Sequence, residues 1–260
     1  MTATLAVDVS NLQTGLALWH ADDAPHHWTI ASTPGSTADE YRVLLVRLLL
    51  SAGLEPTAVT DCVLGCVVPE LAATFQAALL QLLGTPPLLV EPGVRTGMDI
   101  RTDDPRDVGA DRIANAVAAR ARCGAPVVVL DFGTALTIDV VGPNGDYLGA
   151  VIAPGMEVAA EGLSRRAARL RRIELRAPPR AIAHSTAHGL QSGLVFGTIG
   201  MIEGLLRRVH DEIGPAPVMA TGEAPSVAQV LALTDAVQHY DPLLTLDGLR
   251  LIHAHHTQRA

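Results

Sequence analysis

Two short segments of this chain place an aspartate at the start of a tight turn between two apolar stretches. The first reads LAVDVSNLQTGLALW and the second VVVLDFGTALTIDVV. Their alignment matches four polar pairs: Asp8 with Asp131, Ser10 with Gly133, Asn11 with Thr134, and Thr14 with Thr137. Backbone N–H groups in such a turn can bind phosphate oxygens, and the aspartate can hold a hydrated divalent ion. Two copies facing each other would clamp a nucleoside triphosphate, an interpretation favoured over two unrelated core hairpins.

The charged residues and cysteines exclude several other kinds of chemistry. All 19 basic residues are arginine, which excludes a lysine-dependent phosphate loop and any Schiff-base mechanism. A formal net charge of −8 argues against a nucleic-acid partner. The three cysteines lack a C-x-x-C spacing and do not suggest disulfides or a thiolate metal site. Because neither a signal-peptide pattern nor a long apolar run is found, we expect a cytoplasmic chain without a membrane partner.

Strand and helix patterns alternate along the chain around the two turns. Short apolar runs predict strands, and apolar residues at helical spacing predict helices between them. The predicted helices cover residues 37–52, 70–83, 109–122, 156–169 and 186–210, followed by a last helix near the C-terminus. This alternation, with a hairpin repeated at the start of each half, predicts an α/β fold with mixed sheets. The spacing of the two copies places the boundary between the halves near Gly124.

Ordered motifs along almost the whole chain match one known family. They are Asp8-x-x-Asn11, Cys66-Val-Val-Pro69, Pro92-Gly93-x-x-Thr96-Gly97, Gly109-Ala110-Asp111-Arg112, Asp131-x-Gly133-Thr134-Ala135, Ala153-Pro154-Gly155, Thr186 with Gln191-Ser192-Gly193, Thr221-Gly222, and Asp241-Pro242-x-Leu244-Thr245-Leu246-Asp247-Gly248-Leu249. In their order and spacing the chain resembles the type III pantothenate kinases, members of the actin-like ATPase and sugar kinase superfamily.

The resemblance implies a duplicated actin-like ATPase fold, related to ribonuclease H, with two mixed-sheet halves around a nucleotide cleft. It implies ATP-dependent phosphorylation of pantothenate to 4′-phosphopantothenate, the first step of coenzyme A biosynthesis. Residues 1–124 would carry the phosphate loop and the catalytic aspartate. Residues 125–260 would carry the second phosphate motif and the helices of a homodimer. Magnesium and a monovalent cation, potassium or ammonium, would act together with ATP.

The same resemblance assigns roles to individual residues. Asp111 would be the general base, Asp131 would hold the monovalent cation, and Asp8 would hold magnesium through water. Pantothenate would contact Thr102, Gly109, Ala110, Asp111, Arg112 and Thr186. ATP would contact Asp8, Val9, Ser10, Asn11, Leu12, Gln13, Thr14, Gly15, Thr134 and Gly222. Chemistry supports the base independently, because a primary alcohol is a poor nucleophile at neutral pH and needs a group that accepts its proton.

The chain departs from the family pattern at several of these contacts. Ser10 and Leu12 stand where the family's first loop has glycine and threonine, Thr102 stands where a tyrosine is expected, and Glu223 replaces a glycine near the adenine. Leu12 lacks a hydroxyl for phosphate, and Glu223 brings negative charge toward an anionic ligand, so we expect an altered nucleotide site. Three interpretations stay open at this point: an active pantothenate kinase, a non-catalytic dimeric paralogue with a binding or regulatory role, and a kinase of another small alcohol.

Overall fold

Two five-stranded mixed sheets organise the chain, each in its own compact unit. The computed structural model describes residues 3–20, 24–166, 172–222 and 224–258. Unit 1 comprises Met1–Ala121 and Leu243–Ala260, and unit 2 comprises Arg122–Pro242. The sequence-based halves, 1–124 and 125–260, differ from these units at the C-terminus. The last helix clusters with unit 1 because it packs against the first sheet.

The two sheets share one strand topology. The first contains β1 (Ala3–Val9), β2 (Gln13–His20), β3 (His26–Ala31), β4 (Asp61–Cys66) and β5 (Leu88–Leu89). The second contains β6 (Val127–Phe132), β7 (Ala135–Val141), β8 (Tyr147–Pro154), β9 (Val218–Thr221) and β10 (His239–Tyr240). The orders are β3-β2-β1-β4-β5 and, read in the same sense, β8-β7-β6-β9-β10. In both sheets three antiparallel strands are followed by two parallel ones, so the predicted duplication is confirmed.

The predicted helices are found with local sequence signals at their ends. They are α1 (Ala38–Ser51), α2 (Pro69–Leu83), α3 (Ala110–Cys123), α4 (Met156–Arg166), α5 (Thr186–Ile213), α6 (Val227–Leu231) and α7 (Leu244–Thr257). A capping box begins α1, in which Thr37 Oγ1 accepts from the Glu40 N–H at 3.3 Å and the Glu40 carboxylate accepts from the Thr37 N–H at 2.7 Å. Residues 167–169 of the predicted fourth helix lie outside the described residues.

One face of each sheet is buried in an apolar core. In unit 1, Val7 of β1 packs in a cluster with Tyr41 of α1 and Phe75 of α2, whose rings lie 4.2 Å apart. In unit 2, Leu130 and Phe132 of β6 belong to a cluster with buried residues of α5. Because side chains alternate along a strand, the opposite face of each sheet is the one that carries the aspartate of its turn.

Among the described residues, α5 is the one helix with the length and mean hydropathy to cross a membrane. Its residues Leu194, Val195, Ile199, Ile202 and Leu206 are buried in the core of unit 2. They recur at helical spacing, so one side of α5 packs inside the unit in the manner of an amphipathic core helix.

Candidate active site

Asp8 lies near the end of β1, directly before the first turn. Its partner on β2 is Gly15 and its partner on β4 is Gly65. The Asp8 carboxylate therefore has a residue without a side chain on each neighbouring strand. Its Oδ2 accepts a hydrogen bond from Ser10 Oγ at 3.2 Å. Ser10 thus turns its hydroxyl toward the carboxylate.

Residues 10–13 form the first turn. The Ser10 N–H donates to the Gln13 carbonyl at 3.0 Å, and the Ser32 N–H donates to the Leu12 carbonyl at 3.0 Å. Asn11, Leu12 and Gln13 are all exposed, Leu12 to 70% of its surface. The tip of the turn is therefore open to a ligand, and it presents the apolar side chain of Leu12.

Val9 and Thr14 form the last pair of the first hairpin and are both fully buried. The Thr14 hydroxyl lies 2.8 Å from that of Ser32. This buried hydrogen bond connects the turn to the residue that follows β3. In the second hairpin the residue opposite Asp131 is Thr137, whereas Gly15 is opposite Asp8. The sequence alignment of Thr14 with Thr137 is therefore wrong, because the first turn is one residue longer and shifts the register of β2.

Asp111 lies in the first turn of α3. The Gly109 carbonyl accepts the Ile113 N–H at 3.2 Å, and Asp111 Oδ1 accepts the Arg112 N–H at 2.8 Å. A Cβ at position 109 would lie 2.5 Å from Asp111 Oδ1 and 3.3 Å from a methyl group of Val67. Glycine at this position therefore leaves the space that the carboxylate occupies. The positive end of the helix dipole favours a negative charge there.

The fold of unit 1 brings the first turn and the start of α3 to one edge of the first sheet. Gly65 is paired with Asp8, and a Cβ at Gly65 would lie 3.6 Å from Ala110 Cβ. Parallel β1 and β4 end at this same edge, which is where α/β folds commonly bind ligands. A carboxylate able to accept a proton, Asp111, thus stands on the same side as a turn suited to phosphate.

Thr102 and Arg112 complete the residues that sequence analysis placed in unit 1. Thr102 lies in the loop before a short 3-10 turn, Pro105–Asp107. Its Oγ1 is buried and has no hydrogen-bond partner among the described residues. A buried hydroxyl without a partner costs about 1–3 kcal/mol, and a bound ligand would remove that cost. Arg112 is half-buried next to Asp111.

Asp131 lies near the end of β6, in the corresponding position of unit 2. Its strand partners are Thr137 on β7 and Thr221 on β9. Gly133 and Thr134, which form the turn after β6, are exposed. The carboxylate of the second turn is therefore bordered by two threonines rather than by two glycines.

Two further glycines enclose the backbone of the second turn. The Gly155 N–H donates to the Thr134 carbonyl at 3.0 Å, and a Cβ at position 155 would lie 2.8 Å from that oxygen and collide with the Gly133 carbonyl. Gly222 has φ of 103°, and a Cβ there would lie 2.9 Å from the carbonyl carbon of Phe132. Side chains at these positions would displace the turn, so its shape depends on both glycines.

Thr186 is the first residue of α5 and is exposed. Ser185 caps the helix, its hydroxyl accepting the His188 N–H at 3.2 Å. One turn further on, Ser192 Oγ donates to the Ala181 carbonyl at 2.7 Å and fixes the preceding segment against the helix. Thr186 therefore belongs to unit 2, whereas Asp111 belongs to unit 1.

Comparison with known proteins places the chain in a family. The model of type III pantothenate kinases matches residues 4–208. A type III pantothenate kinase of Anaeromyxobacter sp. (strain Fw109-5) is 45% identical over 252 residues, which cover 96% of this chain and 98% of that protein. One of Roseiflexus castenholzii (strain DSM 13941 / HLO8) is 41% identical over 251 residues, 96% and 97% of the two chains. The chain belongs to the type III pantothenate kinase family.

Solved structures of other kinases share the architecture. The ROK hexokinase from Thermus thermophilus aligns with a TM-score of 0.54 and 13% sequence identity, covering 97% of this chain and 99% of that one. The polyphosphate/ATP-glucomannokinase from Arthrobacter sp. strain KM aligns with a TM-score of 0.50 and 13% identity over the full length of both chains. These likenesses concern the fold, and they confirm the expected actin-like ATPase architecture for this member of the family.

The sequence analysis missed a polar group on the second sheet. Asp139 is fully buried, and its carboxylate accepts hydrogen bonds from Thr137 Oγ1 at 2.8 Å and Tyr147 Oη at 2.6 Å. Thr221 is also buried, and its hydroxyl has no hydrogen-bond partner among the described residues. The available signal was the Thr137-Ile138-Asp139 alternation inside an otherwise apolar strand. Glu223, which was expected near the nucleotide, lies outside the described residues.

Proposed function

We propose that this chain catalyses the ATP-dependent phosphorylation of pantothenate to 4′-phosphopantothenate in the cytoplasm, as the first step of coenzyme A biosynthesis. The observation that supports it best is the joint position of the Asp8 turn and Asp111 at one edge of the first sheet, in a member of the type III pantothenate kinase family. A phosphate-binding turn beside a proton acceptor is what transfer of a phosphoryl group to an alcohol requires.

Asp111 is the proposed general base. Its carboxylate accepts the proton of the pantothenate hydroxyl while the hydroxyl oxygen bonds to the γ-phosphorus of ATP and the bond to the ADP oxygen breaks. The position of Asp111 in the first turn of α3 keeps the carboxylate ready to accept this proton, because the helix dipole favours its charge. Such a group contributes about 10²- to 10⁴-fold to the rate.

The exposed backbone of the two turns is proposed to bind the phosphates of ATP. In unit 1 this is the turn of residues 10–13, and in unit 2 it is Gly133 and Thr134, beside Gly222. Magnesium is commonly held by one or two carboxylates, water and substrate phosphates. Asp8, oriented by Ser10, would supply such a carboxylate through water.

Three polar side chains are proposed to select pantothenate. Arg112, beside the base, would pair with the carboxylate of the substrate. The buried hydroxyl of Thr102 would gain the hydrogen bond that it otherwise lacks. Thr186, exposed at the start of α5, would donate or accept one further hydrogen bond.

Asp131 is proposed to hold a monovalent cation, potassium or ammonium. The residues around it fit such a group, because the neighbouring Thr221 has a buried hydroxyl without a partner and both side chains offer oxygen ligands. When bound, the cation offsets part of the negative charge of the phosphates.

We further propose a lowered affinity for ATP at the first turn. Leu12 is 70% exposed at its tip and offers no hydrogen bond to a phosphate. Family members with threonine at this position would gain one, worth about 0.5–1.5 kcal/mol.

A homodimer is proposed on the exposed side of α5. Gly193, Gly197 and Gly200 are exposed, and a Cβ at each would meet no atom within 4 Å. Unit 2 also carries the exposed apolar residues Ile152 and Ile182. Small residues along one helix face allow a second helix to approach closely, and exposed apolar surface is typical of an interface. Light scattering of the purified protein, expected at twice the chain mass of 27.3 kDa, tests this proposal.

One assay distinguishes the main proposal from its alternatives. The purified protein is incubated with ATP, magnesium, potassium and pantothenate, and 4′-phosphopantothenate is measured by mass spectrometry. Rapid formation of that product is expected, and Asp111→Asn should nearly abolish it. Turnover of a different small alcohol in place of pantothenate would indicate another kinase, and binding of pantothenate without turnover with any phosphate donor would indicate a non-catalytic paralogue.

A further inference from the structure

The two faces of the second sheet have opposite chemical character. Leu130 and Phe132 of β6 point into the apolar core of unit 2. Asp131 lies between them in sequence and therefore points to the other face. The strand partners of Asp131 are Thr137 and Thr221, and paired residues of neighbouring strands point to the same side. The face that carries Asp131 thus also carries two threonine hydroxyls.

The buried hydroxyl of Thr221 lacks a hydrogen-bond partner among the described residues. Only 1% of the residue is exposed, and its Oγ1 forms no hydrogen bond with any described residue. Thr137, at the equivalent position on the other side of Asp131, donates its hydroxyl hydrogen to Asp139. Since buried polar groups are nearly always paired, the Thr221 hydroxyl calls for a ligand that is bound beside Asp131.

The charge on this face decides which kind of ligand that is. Asp139 lies two residues from Thr137 on the same strand, hence on the same face and diagonal to Asp131, at a Cα separation of about 7–8 Å. Its two carboxylate oxygens accept hydrogen bonds from Thr137 and Tyr147. Two carboxylates on one face attract a cation and repel a phosphate.

We propose that Thr221 is a second protein ligand of the monovalent cation bound by Asp131, and that Asp139 is a buried charge that strengthens the site. Thr221 presents an oxygen lone pair, as a potassium ion requires. Asp139 acts through its field, since Thr137 and Tyr147 occupy its oxygens. The inference rests on the proposed cation at Asp131 and deepens it by naming the residues that set its affinity.

The test compares Thr221→Val with Thr221→Ser. Valine keeps the branched shape without the hydroxyl, whereas serine keeps the hydroxyl. Two quantities are measured: the rise in melting temperature when potassium replaces choline at constant ionic strength without nucleotide, and the potassium concentration that gives half-maximal turnover. Loss of one ligand bond to a charged group is expected to raise that concentration at least about tenfold in Thr221→Val. Thr221→Ser should stay within about threefold of the parent, and Asp139→Asn should raise the potassium concentration that gives half-maximal turnover.

Thr234→Val is the matched control, because it removes a threonine hydroxyl that bonds Glu203 elsewhere in unit 2. A parent-like potassium response of Thr221→Val overturns the inference and leaves the proposed cation at Asp131 standing. If potassium changes neither the melting temperature nor the turnover of the parent protein, both the inference about Thr221 and the proposed cation at Asp131 are overturned. Because the melting measurement needs no turnover, it tests the site even if pantothenate is not phosphorylated. Should Thr221→Val not fold, Thr221→Ala supplies a second variant without the hydroxyl, with the same two expectations.

Discussion

The two halves of this chain use one hairpin in two chemically different settings. Asp8 has Gly15 and Gly65 as its strand neighbours. A Cβ at Gly15 would lie 3.5 Å from Leu246 of α7, and one at Gly65 would lie 3.0 Å from Leu249 of the same helix. The strand neighbours of Asp8 therefore offer backbone and nearby apolar side chains, and its carboxylate accepts a hydrogen bond from the hydroxyl of Ser10.

Asp131 has the opposite surroundings. Its neighbours Thr137 and Thr221 carry hydroxyls, and the buried Asp139 lies on the same face. The comparison teaches that a duplicated backbone fixes where an aspartate stands, whereas the side chains on adjacent strands decide what it binds. We therefore propose magnesium at the first hairpin and a monovalent cation at the second, with phosphate contacts at both turns.

The largest expected effect is a loss of turnover on replacement of Asp111 in unit 1, without a change in the potassium response proposed for unit 2. Asp111→Asn should lower turnover by about 10²- to 10⁴-fold, because an amide cannot accept the hydroxyl proton. The rise in melting temperature with potassium should stay as in the parent. Asp103→Asn, at an exposed position of the preceding loop, serves as the control and should keep full turnover. A nearly unchanged rate in Asp111→Asn would remove this residue from the mechanism.

A second prediction compares Gly15, on β2 of the first hairpin, with Gly222, which follows β9 beside the second hairpin. Gly222→Ala should lower the free energy of unfolding by about 3–5 kcal/mol, because its positive φ and its contact with the Phe132 backbone leave no room for a methyl group. Gly15→Ala should cost less than about 1 kcal/mol, since its Cβ would lie 3.5 Å from Leu246 in ordinary contact. Urea unfolding of both variants measures the difference, and similar losses would show that the second turn is no more tightly enclosed than the first.

A third prediction replaces each of the two aspartates, Asp131 and Asp8, by alanine. Asp131→Ala should lower turnover in potassium about 10- to 100-fold, the value of a lost bond to a charged ligand, and should make the residual rate indifferent to replacement of potassium by choline. Asp8→Ala should keep the response to potassium and require more magnesium. Titration of each cation at saturation of the other supplies the measurement. If both variants lost the same cation response, the division of labour between the hairpins would be wrong.

Much of the architecture followed from periodicity and turn chemistry in the sequence. Val7 and Val9 alternate with Asp8, so one face of β1 had to be buried and the other had to present the carboxylate. The position of Asp111 at the start of α3 also followed from local pattern. Such features depend on neighbours within a few residues, which the sequence displays directly.

Features that depend on contacts between distant segments could not be predicted in this way. The register that places Gly15 opposite Asp8 depends on a single additional turn residue. The unpaired hydroxyl of Thr221 became visible only when β9 was placed beside β6. The return of α7 to unit 1 depends on Gly248, where a Cβ would collide with the Ala114 carbonyl. A glycine in the sequence does not indicate which backbone approaches it.

The smallest expected effect concerns the phosphate contacts at the tips of the two turns. Leu12→Thr should tighten binding of a non-hydrolysable ATP analogue by about 2- to 10-fold, because a hydroxyl replaces an exposed apolar group beside the phosphates. Thr134→Leu should weaken it by a similar factor, since this exposed threonine lies in the second turn. Leu233→Thr, a change of an exposed leucine elsewhere in unit 2, is the control. Calorimetric titration with pantothenate absent measures all four proteins. Equal affinity in the parent and Leu12→Thr would mean that the first turn binds phosphate through its backbone alone, and the two hairpins would then differ in their cations but not in their phosphate contacts.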